Sequence, residues 1–227
     1  MSSRFITEPS REIPVVGSYD VIVAGGGPAG IGAALGAAIN GADTLILEAR
    51  SQFGGTATAA MWMEINFLFK DNQETSRGGV HAILIDAIRG WGEDASRPGD
   101  RSPDRPGSGG NLNVHPEYLK KVLFDLFDQY DVDYQLYSPV VDVVEEDDVV
   151  KGVVVGAKEG RTTFLGRTVI DATGDGDVAY LAGAEYALGE PDDRRHLQPI
   201  SFYFLMGGVD MEKTVAGLEK YAEDYTE

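Results

Sequence analysis

The residues best placed for chemistry are the smallest ones. Gly25, Gly27 and Gly30 stand two and three positions apart in AGGGPAG, and a carboxylate, Glu48, follows eighteen residues after the last of them. Backbone without side chains at a helix start can surround a diphosphate, because unpaired N–H groups and the positive end of the helix dipole both face the anion. An acid about twenty residues on is spaced to accept hydrogen bonds from ribose hydroxyls. The four residues together describe the seat of a dinucleotide. In that seat Gly25 allows the tight turn and Gly27 lets backbone approach the phosphates. Gly30 lets the helix pack close to the sheet, a contact that Ala34 keeps thin, and Pro28 suits the first helical position.

Such a seat needs a strand, a turn, a helix and a second strand, and residues 19–48 read as that series. Ahead of it, residues 1–18 are expected to form an extended arm, since Pro9 and Pro14 oppose helix. Behind it, Ala49 and Arg50 open a loop that ends in the pair Gly54–Gly55, with Thr56 next. The run TATAAMWMEINFLF has no clear period and is read as core packing, with a cofactor-facing wall as the alternative. A stripe of Val80, Ile83, Leu84, Ala87 and Ile88 predicts a helix over 79–91. Residues 92–113 carry so much Pro, Gly, Ser and charge that a mobile surface loop is expected, a plain excursion rather than the alternative, an active-site lid. Pro116 opens a helix to about Tyr130, with Leu119, Val122, Leu123 and Leu126 inward. The segments VDYQLY, PVVDVVEE, VVKGVVVG and RTTFLG predict a small antiparallel meander. RTVIDATGDGDVAYLAGA then repeats the scheme of strand, glycine turn and helix, PISFYFLMGGVD reads as a strand, and Met211, Val215, Leu218, Ala222 and Tyr225 form a last helical stripe.

Composition narrows the chemistry. The chain of 227 residues has no cysteine, so it cannot itself build a disulfide, a thiolate metal site, an iron–sulfur cluster or a redox-active cysteine pair. Redox chemistry would have to be carried by a bound organic cofactor. The formal charge of −18 argues against a nucleic-acid partner, since phosphate contacts need clustered Lys and Arg. With Lys scarce beside Arg (7 against 12), a high-salt source is one reading of the acidic composition and an ordinary acidic enzyme the other. No apolar run is long enough to cross a bilayer, and residues 1–18 lack the apolar core of a secretory signal, so a cytoplasmic location is expected.

These pieces together resemble the FAD-dependent oxidoreductases of the glutathione-reductase-type flavoprotein superfamily, in particular the group that includes the flavin subunit of heterodisulfide reductase. The resemblance rests on EPSREIPVVGSYDVIVAGGGPAG, the GGTAT after the second strand, HPEYLKKVL, VIDATGDGDVAYLAGA and LQPISFYFLMGGVD. It implies an α/β fold: a Rossmann-like FAD-binding domain with a parallel sheet, helices and a small meander over 19–190, then the start of a substrate-side domain over 191–227. It also implies that Gly25, Gly27, Pro28, Ala29 and Gly30 face the pyrophosphate of FAD, and that Glu48 holds the adenosine ribose with Ala49 and Arg50 beside it. Gly54, Gly55 and Thr56 would line the way to the flavin. Backbone at Val140 or Val141 would meet the adenine, and Ala172, Thr173, Gly174 and Asp175 would close over the cofactor. Asp175 and Asp177 have a second reading, as caps of the helix that follows them.

The implied activity is hydride or electron transfer between FAD and a small-molecule substrate, with no catalytic triad required. Catalytic residues stay unassigned. His81, His115 and His196 read as surface or capping residues, Arg77, Arg194 and Arg195 as loop cations that could grip an anionic substrate, and no cluster has metal-ligand spacing. An enzyme using NAD on the same fold and a non-catalytic nucleotide-binding subunit are the competing readings. Such flavoproteins usually continue beyond this length. The last helical stripe is therefore expected to be exposed, favouring self-association or a partner chain.

Overall fold

Strand β1 (Val15–Ala24) ends in Ile22, Val23 and Ala24, none of which reaches solvent, so the chain passes directly from the centre of the core into the glycine turn. The computed structural model describes residues 5–7, 9–65, 69–70, 73–74, 78–93, 95–98, 112–189, 197 and 200–220. After the turn come α1 (Pro28–Ile39) and β2 (Thr44–Leu47), then a single 3-10 turn at Gly55–Ala57. The short strands β3 (Glu64–Ile65), β4 (Phe69–Lys70) and β5 (Gln73–Glu74) precede α2 (Gly79–Arg89). Strands β6 (Ser96–Pro98) and β7 (Leu112–Val114) lead to α3 (Pro116–Gln129) and β8 (Val132–Gln135). Then follow β9 (Val140–Glu146), β10 (Val149–Ala157), β11 (Gly160–Asp171), α4 (Asp177–Leu181) and α5 (Met211–Lys220).

The main sheet runs in the order β8-β2-β1-β11-β10-β9. Its first four strands are parallel, and β10 and β9 turn back antiparallel. This is the predicted α/β class with a mostly parallel sheet. On one face Val23 and Ile46 pack against Ile31 and Leu35 of α1, Ile85 and Ile88 of α2, and Leu119, Val122, Leu123 and Leu126 of α3. On the other, Ile22, Leu45 and Leu47 meet Val153 and Val155 of β10 and Phe164 of β11. Alternation along β1 and β2 thus serves two cores, which is why both strands read as continuous apolar runs.

Registry brings the parallel strands to one edge. Ala24 pairs with Leu47 and with Asp171, and Leu47 pairs with Gln135. The ladder continues one residue further through Gly25 N–H to Leu47 O (2.8 Å), Ala172 N–H to Ala24 O (2.8 Å) and Glu48 N–H to Gln135 O (2.9 Å). The loops after β1, β2 and β11 therefore leave side by side. At β1 the strand order reverses, β2 lying on one side and β11 on the other, the position where open α/β sheets bind ligands.

Several expectations are corrected. VDYQLY is not part of the meander: Val132–Gln135 returns parallel to β2, as a strand delivered by a crossover helix does. RTTFLG and RTVID are one strand, β11, which pairs with β10 on one side and β1 on the other. The arm is shorter than expected, because β1 already begins at Val15. The Met- and aromatic-rich run is core only in part: Ala57 and Ile65 pack against the buried cluster, whereas Met61 and Trp62 are more than one-third exposed, and 66–68 lie outside the described residues. The 92–113 segment contributes β6 and β7 at its ends, with Leu112 buried, while 94 and 99–111 lie outside the described residues. Residues 200–210 form no strand, since no described strand lies beside them to pair with, and Ile200, Phe202 and Phe204 are exposed. Residues Ala222 and Tyr225 of the last stripe lie outside the described part, and its Met211, Val215 and Leu218 are exposed.

Candidate functional site

Gly25 turns with φ +104°, and a Cβ there would come within 2.3 Å of the Ala172 carbonyl oxygen. Only glycine meets both demands. Behind it, a Cβ on Gly30 would come 1.8 Å from the Gly25 oxygen, so α1 presses directly on the turn. Gly27 differs: it starts α1 in extended conformation, no side chain caps it, and a Cβ there would meet nothing within 4 Å. The start of α1 thus has no side-chain cap and open space beside Gly27.

Glu48 ties the turn to β2. Its Oε2 accepts from Gly26 N–H at 2.8 Å and its Oε1 accepts from Arg50 N–H at 2.7 Å, while the residue is 8% exposed. Gly54 N–H donates to Gly26 O at 2.8 Å, which joins the second glycine loop to the first. A Cβ on Gly55 would lie 2.8 Å from Gly27 Cα, so the two loops touch backbone to backbone. Phe53 anchors this arrangement. It is fully buried against Phe124, Phe127 and Tyr134 at ring-centroid distances of 5.5, 4.9 and 5.7 Å, and its carbonyl accepts from the Thr58 hydroxyl at 2.7 Å.

The third loop follows β11. Asp171 Oδ1 accepts from the Thr173 hydroxyl (2.7 Å) and the Thr173 N–H (3.1 Å), and Oδ2 accepts from Ala179 N–H (2.9 Å). The Thr173 hydroxyl in turn accepts from Asp177 N–H at 2.9 Å. Asp171 and Thr173 therefore satisfy the start of α4, and neither Asp175 nor Asp177 caps it by its side chain. Burial, the largest single influence, pushes the Asp171 carboxyl up. The donors at Ala179, Thr173 and Val178 outweigh it and hold the group below the usual carboxylate range.

Between the loops runs a groove made of two adjoining cavities. One, of about 350 Å³, is lined by Gly25, Gly26, Gly27, Pro28, Ala29, Glu48, Arg50, Gly55, Thr56, Ala59, Ala60, Ala172, Thr173 and Gly174. The other, of about 220 Å³, shares Gly25, Glu48, Arg50 and Thr173 and adds Leu47, Ala49, Ser138, Pro139, Val140 and Asp177. Gly30, Gly54, Val141 and Asp175 do not line it. Gly30 and Gly54 lie behind the loops they shape, and Val141 and Asp175 are exposed. His115 accepts from Glu117 N–H through Nδ1 as the cap of α3, and His81 lies in the first turn of α2. Arg77, Arg194, Arg195 and His196 lie outside the described residues. Sequence reasoning passed over Gly26, Phe53, Asp171 and Ser138. An apolar residue alone in the polar loop ARSQFGG was the legible signal for Phe53.

A model of the FAD-dependent oxidoreductases matches residues 20–227. The chain belongs to that family. Its cofactor is FAD, and the groove fits FAD: open backbone at a helix start for the diphosphate, with Glu48 and Arg50 where the two cavities meet. Digeranylgeranylglycerophospholipid reductase of Thermoplasma volcanium is 26% identical over 157 residues, 69% of this chain and 39% of that protein. The 3-oxosteroid 1-dehydrogenase of Mycolicibacterium smegmatis is 35% identical over 78 residues, 31% of this chain and 14% of that protein. Among solved structures, a geranylgeranyl bacteriochlorophyll reductase-like protein from Thermoplasma acidophilum superposes with a TM-score of 0.54 at 23% identity, covering 74% of this chain and 43% of that one. THI4 of Thermovibrio ammonificans superposes with a TM-score of 0.53 at 21% identity, covering 76% and 66%. The chain thus spans about two-fifths (39%) of the length of the reductase relative. Among the described residues, no helix is long and apolar enough to cross a membrane.

Proposed function

We propose that this chain forms the FAD-holding part of an oxidoreductase that moves a hydride or electrons between the flavin and a small-molecule substrate. FAD, when bound, supplies the redox chemistry, and the chain's residues bind and orient it. Gly25, Gly27, Pro28 and Ala29 hold the diphosphate through backbone, with Gly30 keeping α1 close behind them. Glu48, Ala49 and Arg50 face the adenosine ribose, and Val140 meets the adenine beside Ser138. Gly55 and Thr56, on the loop that Gly54 shapes, line the way to the flavin, and Ala172, Thr173 and Gly174 close the groove from the β11 side. Within the family, the DATGDGD turn behind an antiparallel wing supports kinship with the glutathione-reductase-type proteins and the heterodisulfide reductase flavin subunit. The acidic composition is compatible with a cytoplasmic protein. The exposed stripe Met211, Val215 and Leu218 supports contact with a second copy or a partner chain.

The observation that carries the reading is Gly27: it opens α1, and its missing side chain leaves space that no protein atom fills. Gly27→Ala should therefore fold like the parent yet lose FAD affinity by about tenfold or more, because the methyl group occupies cofactor space. Flavin absorbance after reconstitution and desalting measures it. Equal flavin retention by parent and variant would overturn this seat.

A further inference from the structure

Beside the groove lies a second concavity whose walls are built differently. Cavities of about 390 Å³ and 470 Å³ adjoin there, sharing Met63 and Asn113. Met61, Trp62 and Tyr203 wall the first, and His115 and Tyr118 the second. This trough starts where the groove ends. Ala59 and Ala60 line the groove, the next residue lines the trough, and Trp62 N–H donates to the carbonyl of groove-lining Thr56 at 2.9 Å.

Its aromatic walls are fixed in place. The Trp62 indole N–H donates to Glu64 O at 3.0 Å, and the ring meets Tyr203 edge to face at a centroid distance of 5.2 Å. Tyr118 meets both Trp91 (5.7 Å) and His115 (5.4 Å) edge to face. Trp62, Met61 and Tyr203 are 40%, 37% and 42% exposed, so large apolar surface lines a cavity instead of filling the core. Among the described lining residues none is Lys or Arg, and a chain of formal charge −18 opposes anions. His115 Nδ1 is spent on Glu117 N–H at 3.2 Å, so the neutral ring carries its proton on Nε2, a donor at the trough wall.

We propose that the trough is the substrate subsite of the flavin groove and takes a neutral, largely apolar molecule with one carbonyl or hydroxyl acceptor for His115 Nε2–H. This rests on the groove being the FAD seat. Trp62 and Tyr118 supply the apolar contact, and His115 sets which end of the molecule lies deepest.

The test uses the FAD-loaded 227-residue chain and Prodan, a neutral naphthyl ketone whose emission shifts blue in apolar surroundings, with anilinonaphthalene sulfonate as its anionic counterpart. Prodan should bind saturably, more tightly than the sulfonate, and should perturb the flavin's visible band. Trp62→Ala should weaken Prodan about tenfold or more. His115→Asn keeps an oxygen for the Glu117 N–H but removes Nε2–H, and should weaken Prodan several-fold. FAD titration of both variants should match the parent, since neither residue lines the groove, so loss of the FAD seat and loss of the trough give separate signals. Prodan binding unchanged in both variants would mean the probe sits outside the trough, on exposed residues such as Ile200 and Phe202, and would overturn the proposal. Preferential sulfonate binding, or a flavin band indifferent to Prodan, would overturn it as well.

Discussion

Replacing Glu48 by Gln separates two roles for one carboxylate. A purely ribose-binding acid contributes nothing until the cofactor arrives. In this structure both oxygens are already engaged by the protein: Oε2 with Gly26 N–H and Oε1 with Arg50 N–H, at 2.8 and 2.7 Å. An amide has one oxygen. Whichever way the Gln side chain turns, its NH2 group faces one of these N–H donors, so a charge-assisted bond is lost and a donor beside the glycine turn is orphaned. The two penalties overlap and together cost about 2–4 kcal/mol of folding stability. For a chain of this size that is a fall in Tm of roughly 4–16 °C. Thermal unfolding of the flavin-free protein, followed by circular dichroism, is the deciding assay. FAD affinity should also fall, because the turn that offers Gly27 is no longer held. If the flavin-free variant melts within about 1 °C of the parent while binding FAD more weakly, Glu48 acts on the ribose alone and the structural role is refuted.

Asp171→Asn should lower stability near neutral pH. The folded-state carboxyl lies below its ordinary value, so its contribution is full above the unfolded pKa and fades as pH falls through the folded one. Urea midpoints of parent and variant should therefore converge below about pH 4, and a pH-independent gap would show that the charge is not responsible. Phe53→Ala should cost about 3–5 kcal/mol in urea unfolding and loosen the 54–60 loop, since the ring packs against three aromatic partners. A loss below about 1 kcal/mol would mean that the loop is held by its hydrogen bonds instead.

The parts of the fold legible in the sequence were those with a local physical cause. β1, α1 and β2 combine buried runs with a glycine turn that has few alternatives. α3 starts at Pro116 and shows its stripe on one face. The misassigned pieces depend on distant partners. Whether 132–135 joins the parallel sheet or the antiparallel wing is decided by β2, eighty-eight residues earlier at Thr44↔Val132, and four residues are too few for alternation to reveal it. Residues 200–210 have the composition of a strand, but a strand exists only beside another. In the run through Met61 and Trp62, Ala57 and Ile65 pack on the core while Met61 and Trp62 line a cavity, and composition cannot distinguish a cavity wall from a core.

The candidate site divides along the same line. Gly25 and Gly30 were legible because each does a backbone task that a Cβ would block, and Gly27 by its place at the start of α1. Glu48 was legible by spacing, but its engagement with Gly26 and Arg50 was not, because spacing says where a carboxylate lies and not what it accepts from. At the other turn the sequence offered three acids, Asp171, Asp175 and Asp177, and reasoning from helix starts favoured the two nearest α4. The structure uses Asp171 instead, since a residue at the end of β11 is fixed by the sheet while Asp175 is exposed on the turn itself. With its first oxygen Asp171 orients Thr173, and with its second it reaches forward to Ala179, so the sheet edge, the groove wall and α4 are held by one side chain. The same logic governs Glu48 at the end of β2. Each acid lies where a parallel strand stops and each accepts from a backbone N–H of a loop that lines the groove, so the groove's shape is set by sheet geometry more than by the loops themselves.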